Sequence, residues 1–167
     1  MYSSSQWYLV QCKARESFRA ELHLTNQNFT CFHPTYPIKR KIAGRVQLTI
    51  APLFPHYLFV LLSEADNWSA IRSTRGVSKM VRFNGVPASL EHQLVEELQR
   101  HCARLNGDSP EPNYKIGDKV VVTDGCFKAL EAVVTAASGE ERVTLLLNLF
   151  NRPQLVELSV SAVAAAG

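Results

Sequence analysis

The chain has 167 residues, 46% hydrophobic and 20% charged, with a formal net charge of +3. That length suits one ordinary domain or two small ones. No apolar run approaches the ~20 residues a membrane span needs, so no membrane partner is expected. The start, Met1-Tyr2-Ser3-Ser4-Ser5, lacks the basic and apolar regions of a signal peptide, which points to a cytoplasmic protein. Cys12, Cys31, Cys102 and Cys126 are scattered without a CxxC pair and read as reduced thiols. Residues 1–50 carry seven Lys/Arg against two acids, 51–106 six against five, and 107–167 five against eight. A polyanion would therefore meet the N-terminal half and be repelled by the C-terminal part. A solvated basic face fits the same charges.

Residues 6–12 read as a strand, aromatic and apolar on both faces. Residues 15–28 read as a helix in which Arg15, Arg19, His23 and Asn26 share one sector, with Ala20 and Leu24 opposite. Lys13 sits at the strand's end beside it. Guanidinium and imidazole groups along one helix face suit phosphate oxygens and exposed base edges, although the pattern alone favours a solvated face. Residues 29–34 form the second predicted strand. Residues 39–45 form a basic hairpin with Gly44 at its turn. Such tips are usually solvated, and beside a DNA-binding helix this one would extend the electrostatic footprint.

Pro52 and Pro55 cannot donate to a ladder and hold the entry to residues 57–62 in a kinked, extended form. That apolar run reads as a central strand buried on both faces, Tyr57 and Phe59 on one and Leu58 and Val60 on the other. One face covers the core; the other meets a second layer or a partner. Asp66 or Asn67 caps a short helix to about Arg72. Arg72, Thr74 and Arg75 cluster in the loop that Gly76 ends, and residues 79–83 form a strand. Pro87-Ala88-Ser89 starts a helix with Ser89 as its N-cap, and Leu94, Leu98, Cys102 and Leu105 with Val95 form its apolar stripe. This order predicts an α+β sandwich over residues 1–105. Residues 106–113, with Gly, two prolines and acids, form a linker to a second domain at 114–167.

The last third supports two readings. Residues 119–123, 132–135, 143–149 and 155–158 pattern as short strands. Yet Phe127, Leu130 and Val134 recur at helical spacing, and Leu145, Leu146 and Leu149 share a helical face. Pro153 would end a second helix by about Arg152.

No catalytic constellation appears. His33, His56, His92 and His101 lack partners at metal-ligand spacing, apart from the chance pair His101-Cys102. Cys12 beside Lys13 could be an activated thiol, but strand-end burial is the favoured reading. No P-loop or dinucleotide fingerprint occurs, so no enzyme activity, metal or cofactor is expected.

Pro52-Leu53-Phe54-Pro55-His56-Tyr57-Leu58-Phe59-Val60 is collinear with Trp7-Tyr8-Leu9-Val10, Thr74-Arg75-Gly76-Val77, Val81-Arg82-Phe83 and Gly117-Asp118-Lys119-Val120. On these motifs the chain resembles the NusG family of bacterial transcription elongation factors over nearly its whole length. Trp7-Tyr8-Leu9-Val10-Gln11-Cys12-Lys13, the short stretch between Phe59 and Thr74, and above all Leu145-Leu146-Leu147-Asn148-Leu149 resemble its specialised RfaH-type members. The resemblance implies an NGN-type N-terminal sandwich and a small C-terminal KOW domain. That domain is a five-stranded β-barrel when free and, in RfaH-type members, an α-helical hairpin docked on the N-terminal domain when closed. Ala132 stands where a KOW barrel expects glycine, as in those members.

By the same resemblance, the protein is a monomeric, operon-specific elongation and antitermination factor that suppresses pausing and termination and couples transcription to translation. A general NusG-type factor is the first alternative. A ribosome- or RNA-binding KOW protein is the second, which the acidic C-terminal part disfavours. Lys13, Arg19, His23, Gln27, Arg72, Thr74 and Arg75 would contact non-template single-stranded DNA. Tyr57, Phe59 and Phe83, with Val81, Val95 and Leu98, would dock on the clamp helices of RNA polymerase's largest subunit. The gate loop of the second-largest subunit would be bridged as well. Phe127, Leu130 and Val134 would hold the closed state, and Phe150 would contact a small-subunit ribosomal protein. Three parts of the pattern are not matched. Asn26 and Ala14 replace basic residues, so the DNA sequence read would differ. Of Asn67-Trp68-Ser69, at the His/Thr-rich gate contact, only Ser69 keeps a hydroxyl. Ala51 stands where an acid would pair with Arg142.

Overall fold

The computed structural model describes residues 5–107, 119–122, 126–150 and 156–159. The chain divides into two compact units, Met1–His92 and Gln93–Gly167. In the first unit the order is β1 (Gln6–Cys12), α1 (Ser17–Asn26), β2 (Thr30–Phe32), β3 (Thr35–Ile42), β4 (Arg45–Pro52), β5 (Tyr57–Leu62), α2 (Trp68–Arg72), β6 (Val77–Met80), β7 (Arg82–Phe83), β8 (Val86–Pro87) and β9 (Ser89–Leu90). The expected alternation of strand, helix, strand, hairpin and strand is the one found.

The main sheet runs β2-β5-β1-β6, with β9 also pairing β1. Each pairing is antiparallel, and Leu9 lies opposite Phe59 and Tyr8 opposite Val60. The apolar run of β5 therefore occupies an interior position, as its sequence requires. Pro55 and His56 make the turn before it: His56 adopts φ 74°, and the Tyr57 N–H donates to the Phe54 carbonyl at 3.1 Å. Proline followed by a residue at positive φ is the pattern of a type II turn.

The two faces of β5 divide the core. Leu58, Val60 and Leu62 join Val10 and Cys12, with Ala20 and Leu24 of α1, Ile71 of α2, and Val77 and Met80 of β6. On the other face Phe59 stacks on Phe32 with centroids 5.6 Å apart and meets Phe54 edge-on at 6.5 Å. Asn67 caps α2 by accepting the Ala70 N–H at 3.3 Å, which settles the choice between Asp66 and Asn67. Asp66 instead accepts from the Ser63 N–H at 2.8 Å and from the Ser63 hydroxyl.

One boundary needs correcting. Ser89 does not cap a helix but lies in β9, paired with Tyr8 while Leu90 pairs with Trp7. Cross-strand pairing satisfies backbone groups that a helix turn would otherwise have claimed, so α3 (His92–Leu105) starts three residues later. Its stripe of Leu94, Val95, Leu98 and Cys102 is buried as expected, whereas Leu105 is exposed.

Beyond His92 the second unit holds most of α3, then β10 (Lys119–Val122), α4 (Cys126–Thr135), α5 (Gly139–Phe150) and β11 (Val156–Ser159). β10 and β11 pair with Val120 opposite Leu158, matching two of the predicted strands. The stretches 132–135 and 143–149 take the helical reading rather than the strand one. Ser138 begins α5 by accepting the Glu141 N–H at 3.1 Å, and Glu140 and Glu141 favour that positive helix end. Arg142 donates to the Ala136 carbonyl at 3.0 Å, placing a cation just past the C-terminus of α4. The linker expected at 106–113 and Pro153 lie largely or wholly outside the described residues. No described helix is long and apolar enough to cross a membrane.

Candidate nucleic-acid interface

Two ties hold the loop after α2, which carries Arg75, against α1 and the Lys13 that precedes it. The first is a close approach of the loop after α2 to the start of α1. The Lys13 N–H donates to the Gly76 carbonyl at 2.8 Å. Gly76 has φ 90°, and a Cβ there would lie 2.8 Å from the Ala20 nitrogen and 2.9 Å from the Glu16 carbonyl oxygen. Only glycine permits both the conformation and the contact.

The second tie is a side-chain bond across 47 positions of sequence. The Gln27 Nε2 donates to the Thr74 Oγ1 at 2.8 Å and to the His23 carbonyl at 3.1 Å. Thr74 Oγ1 itself donates to the Ala70 carbonyl at 2.7 Å, so toward Gln27 it can only accept. Both neighbours of the amide nitrogen are therefore acceptors, and this fixes which end of the amide is nitrogen. Gln27 Oε1 is left as the acceptor for anything that arrives from outside.

Of the residues expected at a DNA surface, Lys13, Arg19, Gln27, Arg72 and Arg75 are exposed and His23 is half-buried; the two ties join Lys13 to Gly76 and Gln27 to Thr74. Thr74 is the correction. At 6% exposure it cannot reach a nucleotide, because α2 closes over its hydroxyl through the Ala70 carbonyl. It is a positioning residue for Gln27. Sequence reasoning also missed Glu16, whose carboxylate accepts from Arg19 at 2.9 Å and neutralises part of the face. The i,i+3 spacing of Glu16 and Arg19 was the available signal.

The apolar set expected to meet the polymerase is split by burial. Tyr57, Val81 and Phe83 are partly accessible. Phe59 (0% exposed), Val95 and Leu98 are buried, so in this structure they are packing residues rather than surface. For Phe59 the reason is the Phe32 and Phe54 rings against it. Leu130, Val134 and Phe150 are also buried; the side chain of Phe127 lies outside the described residues.

Cys12, Cys31 and Cys102 are shielded thiols. Burial pushes Cys12 and Cys102 up to about 12 and Cys31 to about 11, which decides the Cys12 question for packing. Among the described residues no group of three or more His, Cys, Asp or Glu could hold a metal ion.

A four-stranded antiparallel path with α1 and α2 packed on one of its faces defines an α+β domain. The family described as "Transcription termination factor nusG" matches residues 5–99. The chain belongs to the NusG family. It is 26% identical over 166 residues to "Transcription termination/antitermination protein NusG" of Lactococcus lactis subsp. lactis, covering 92% of this chain and 89% of that protein. Against the Synechocystis protein of the same name it is 29% identical over 189 residues, covering 96% and 89%. The solved structure "Domain interaction in Thermotoga maritima NusG" matches 72% of this chain and 73% of its own at 21% identity, with a TM-score of 0.40.

Proposed function

We propose that this chain is a transcription termination/antitermination factor of the NusG family, specialised in the RfaH manner to elongation complexes that expose a particular non-template sequence. The observation that carries the reading is the Gln27 amide held in one orientation by Thr74 and the His23 carbonyl, together with the exposure of Lys13, Arg19 and Arg75. Unpaired bases in a transcription bubble offer the edges that a fixed acceptor and nearby guanidinium groups can read. The mechanism is binding rather than bond-making. Tyr57, Val81 and Phe83 meet the clamp helices of RNA polymerase's largest subunit, while the gate loop of the second-largest subunit is bridged. Higher affinity for the closed clamp than for the open, paused one then suppresses pausing.

The helical form of residues 126–150 favours the specialised type over a general NusG-type factor, whose barrel is permanent. Two packings of one sequence a few kcal/mol apart would let this hairpin refold to a barrel on recruitment. Phe150, buried in the helical form, would then be free to contact a small-subunit ribosomal protein. Pause lifetimes of reconstituted elongation complexes on templates that differ only in the non-template bubble test this. Shortening on one template, lost in Arg75→Ala, is expected. Equal shortening on every template would make the protein a general factor, and no effect on any would overturn the reading.

A further inference from the structure

The outer side of α1 carries two apolar side chains that neither the core nor the functions above use. Phe18 is 41% exposed and Leu22, one turn further on, is 58% exposed. At i and i+4 they lie side by side on the helix. The Phe18 ring does not hang free. It meets the His33 imidazole edge-on, with centroids 4.6 Å apart and planes at 69°. His33 is buried just past β2, and its Nδ1 lies 3.2 Å from the Glu21 carboxylate, which holds the imidazole in place from behind. A ring fixed in this way loses little rotamer freedom when something stacks on it.

Size and position say what the occupant is. A stable protein interface takes about 800 Å² from each partner, far more than two side chains offer. One planar base needs only a ring and an apolar edge. At about 3.6 residues per turn, His23, Arg19, Leu22 and Phe18 follow one another around α1, starting from the side of its C-cap Gln27. A single strand held at Gln27 and Arg19 therefore reaches Leu22 and Phe18 as it crosses the helix. Gln27 and Phe18 stand roughly 14 Å apart along the axis at about 1.5 Å per residue, so they meet different nucleotides. Arg19 follows Phe18 in the chain, and Glu16 occupies one end of its guanidinium, which leaves further N–H donors for a phosphate. We infer that Phe18, backed by His33 and flanked by Leu22, stacks on one unpaired base of a single-stranded nucleic acid. This contact rests on the single-strand reading above and adds a second nucleotide position to it. Every base has a π-face, so stacking here contributes affinity without choosing a sequence.

Fluorescence anisotropy of the full chain tests this with a labelled DNA single strand and a fully abasic strand of equal length. Phe18→Ala should weaken binding of the base-bearing strand about 5- to 150-fold, the usual range for one stacked base. On the abasic strand, which keeps its phosphates, the variant and the parent should bind alike. The salt slope should stay constant, because no charge is removed. Phe18→Trp should bind at least as tightly as the parent. Its added emission should be quenched by the base-bearing strand beyond any change in Trp7 and Trp68. Unchanged binding of the base-bearing strand by Phe18→Ala would overturn the stacking and leave the single-strand reading intact. Equal loss on both strands would make Phe18 a packing residue of α1, and an unquenched Phe18→Trp would exclude stacking even if Phe18→Ala fails to fold. Weaker binding to RNA polymerase with unchanged strand binding would make the pair a protein contact instead. A parent that binds no single strand would overturn this contact together with the reading it rests on.

Discussion

Thr74→Val removes one hydroxyl and almost no volume, which makes it the sharpest probe of the single-strand face. Two hydrogen bonds converge on that oxygen, one accepted from Gln27 at 2.8 Å and one donated to Ala70 at 2.7 Å. The loss of the second is a stability effect of about 0.5–1.5 kcal/mol, the usual net value of an intramolecular hydrogen bond. The loss of the first acts on binding. Gln27 is exposed, and once released its amide can turn over, so DNA must order it again. Immobilising a glutamine side chain costs up to about 1.5–2 kcal/mol, of which the remaining bond to the His23 carbonyl retains part. A net loss of about 0.5–1.5 kcal/mol corresponds to about 2- to 13-fold weaker binding. Anisotropy with single-stranded oligonucleotides reads it directly. The salt slope should stay constant because no charge is lost, and Thr74→Ser should restore affinity. Gln27→Ala should weaken binding at least as much, and combining it with Thr74→Val should add nothing further. A Thr74→Val protein that binds like the parent while Gln27→Ala does not would refute the positioning role.

Other expectations follow from the same geometry. Phe59→Ala should destabilise the first unit by about 3–5 kcal/mol, as large-to-small changes in a core do, whereas Tyr57→Ala should leave the melting temperature nearly unchanged and weaken polymerase binding by about 1–3 kcal/mol. Thermal melting beside a polymerase pull-down separates the two, and a stable Phe59→Ala protein would contradict the packing described. Gly76→Ala forces a left-handed conformation on a Cβ that meets the α1 backbone, so a loss of about 1–3 kcal/mol is expected. Unchanged melting would mean the loop does not sit against α1. In the second unit, burial holds His101 below its ordinary 6.5, outweighing the Glu97 carboxylate 3.6 Å away. The unfolded chain then binds more protons than the folded one in that window. Stability should fall as pH drops through 6.5 toward the lower folded value, and the slope should flatten in His101→Gln. A steeper slope in that variant would reverse the assigned cause.

The elements set by local chemistry were legible from the sequence. The run after Pro55 has the composition of a strand covered on both sides, and β5 is one. Asn67 can accept a helix N–H, Gly44 can take positive φ, and Ala20 and Leu24 mark the inner face of α1 through a period of 3.6. The polar sector of α1 was legible in part: Arg19, His23 and Asn26 lie on the helix, but Arg15 precedes it at φ 62°.

Tertiary structure decided what depends on partners distant in sequence. Thr74 and Arg75 are neighbours with equal claims on a ligand, and only the fold buries Thr74 between the Ala70 carbonyl of α2 and Gln27 after α1 while leaving Arg75 in water. Phe59 looked like a surface anchor until Phe32 and Phe54 came against it. Ser89 is a good helix cap in isolation, yet pairing with β1 makes it a strand residue. Residues 132–149 hold leucines that favour helix and β-branched residues that favour strand, so their intrinsic preference is nearly balanced. The burial of Leu130, Val133, Leu146 and Leu149 tips that balance to helix, because it removes more apolar surface from water than the small propensity differences can offset.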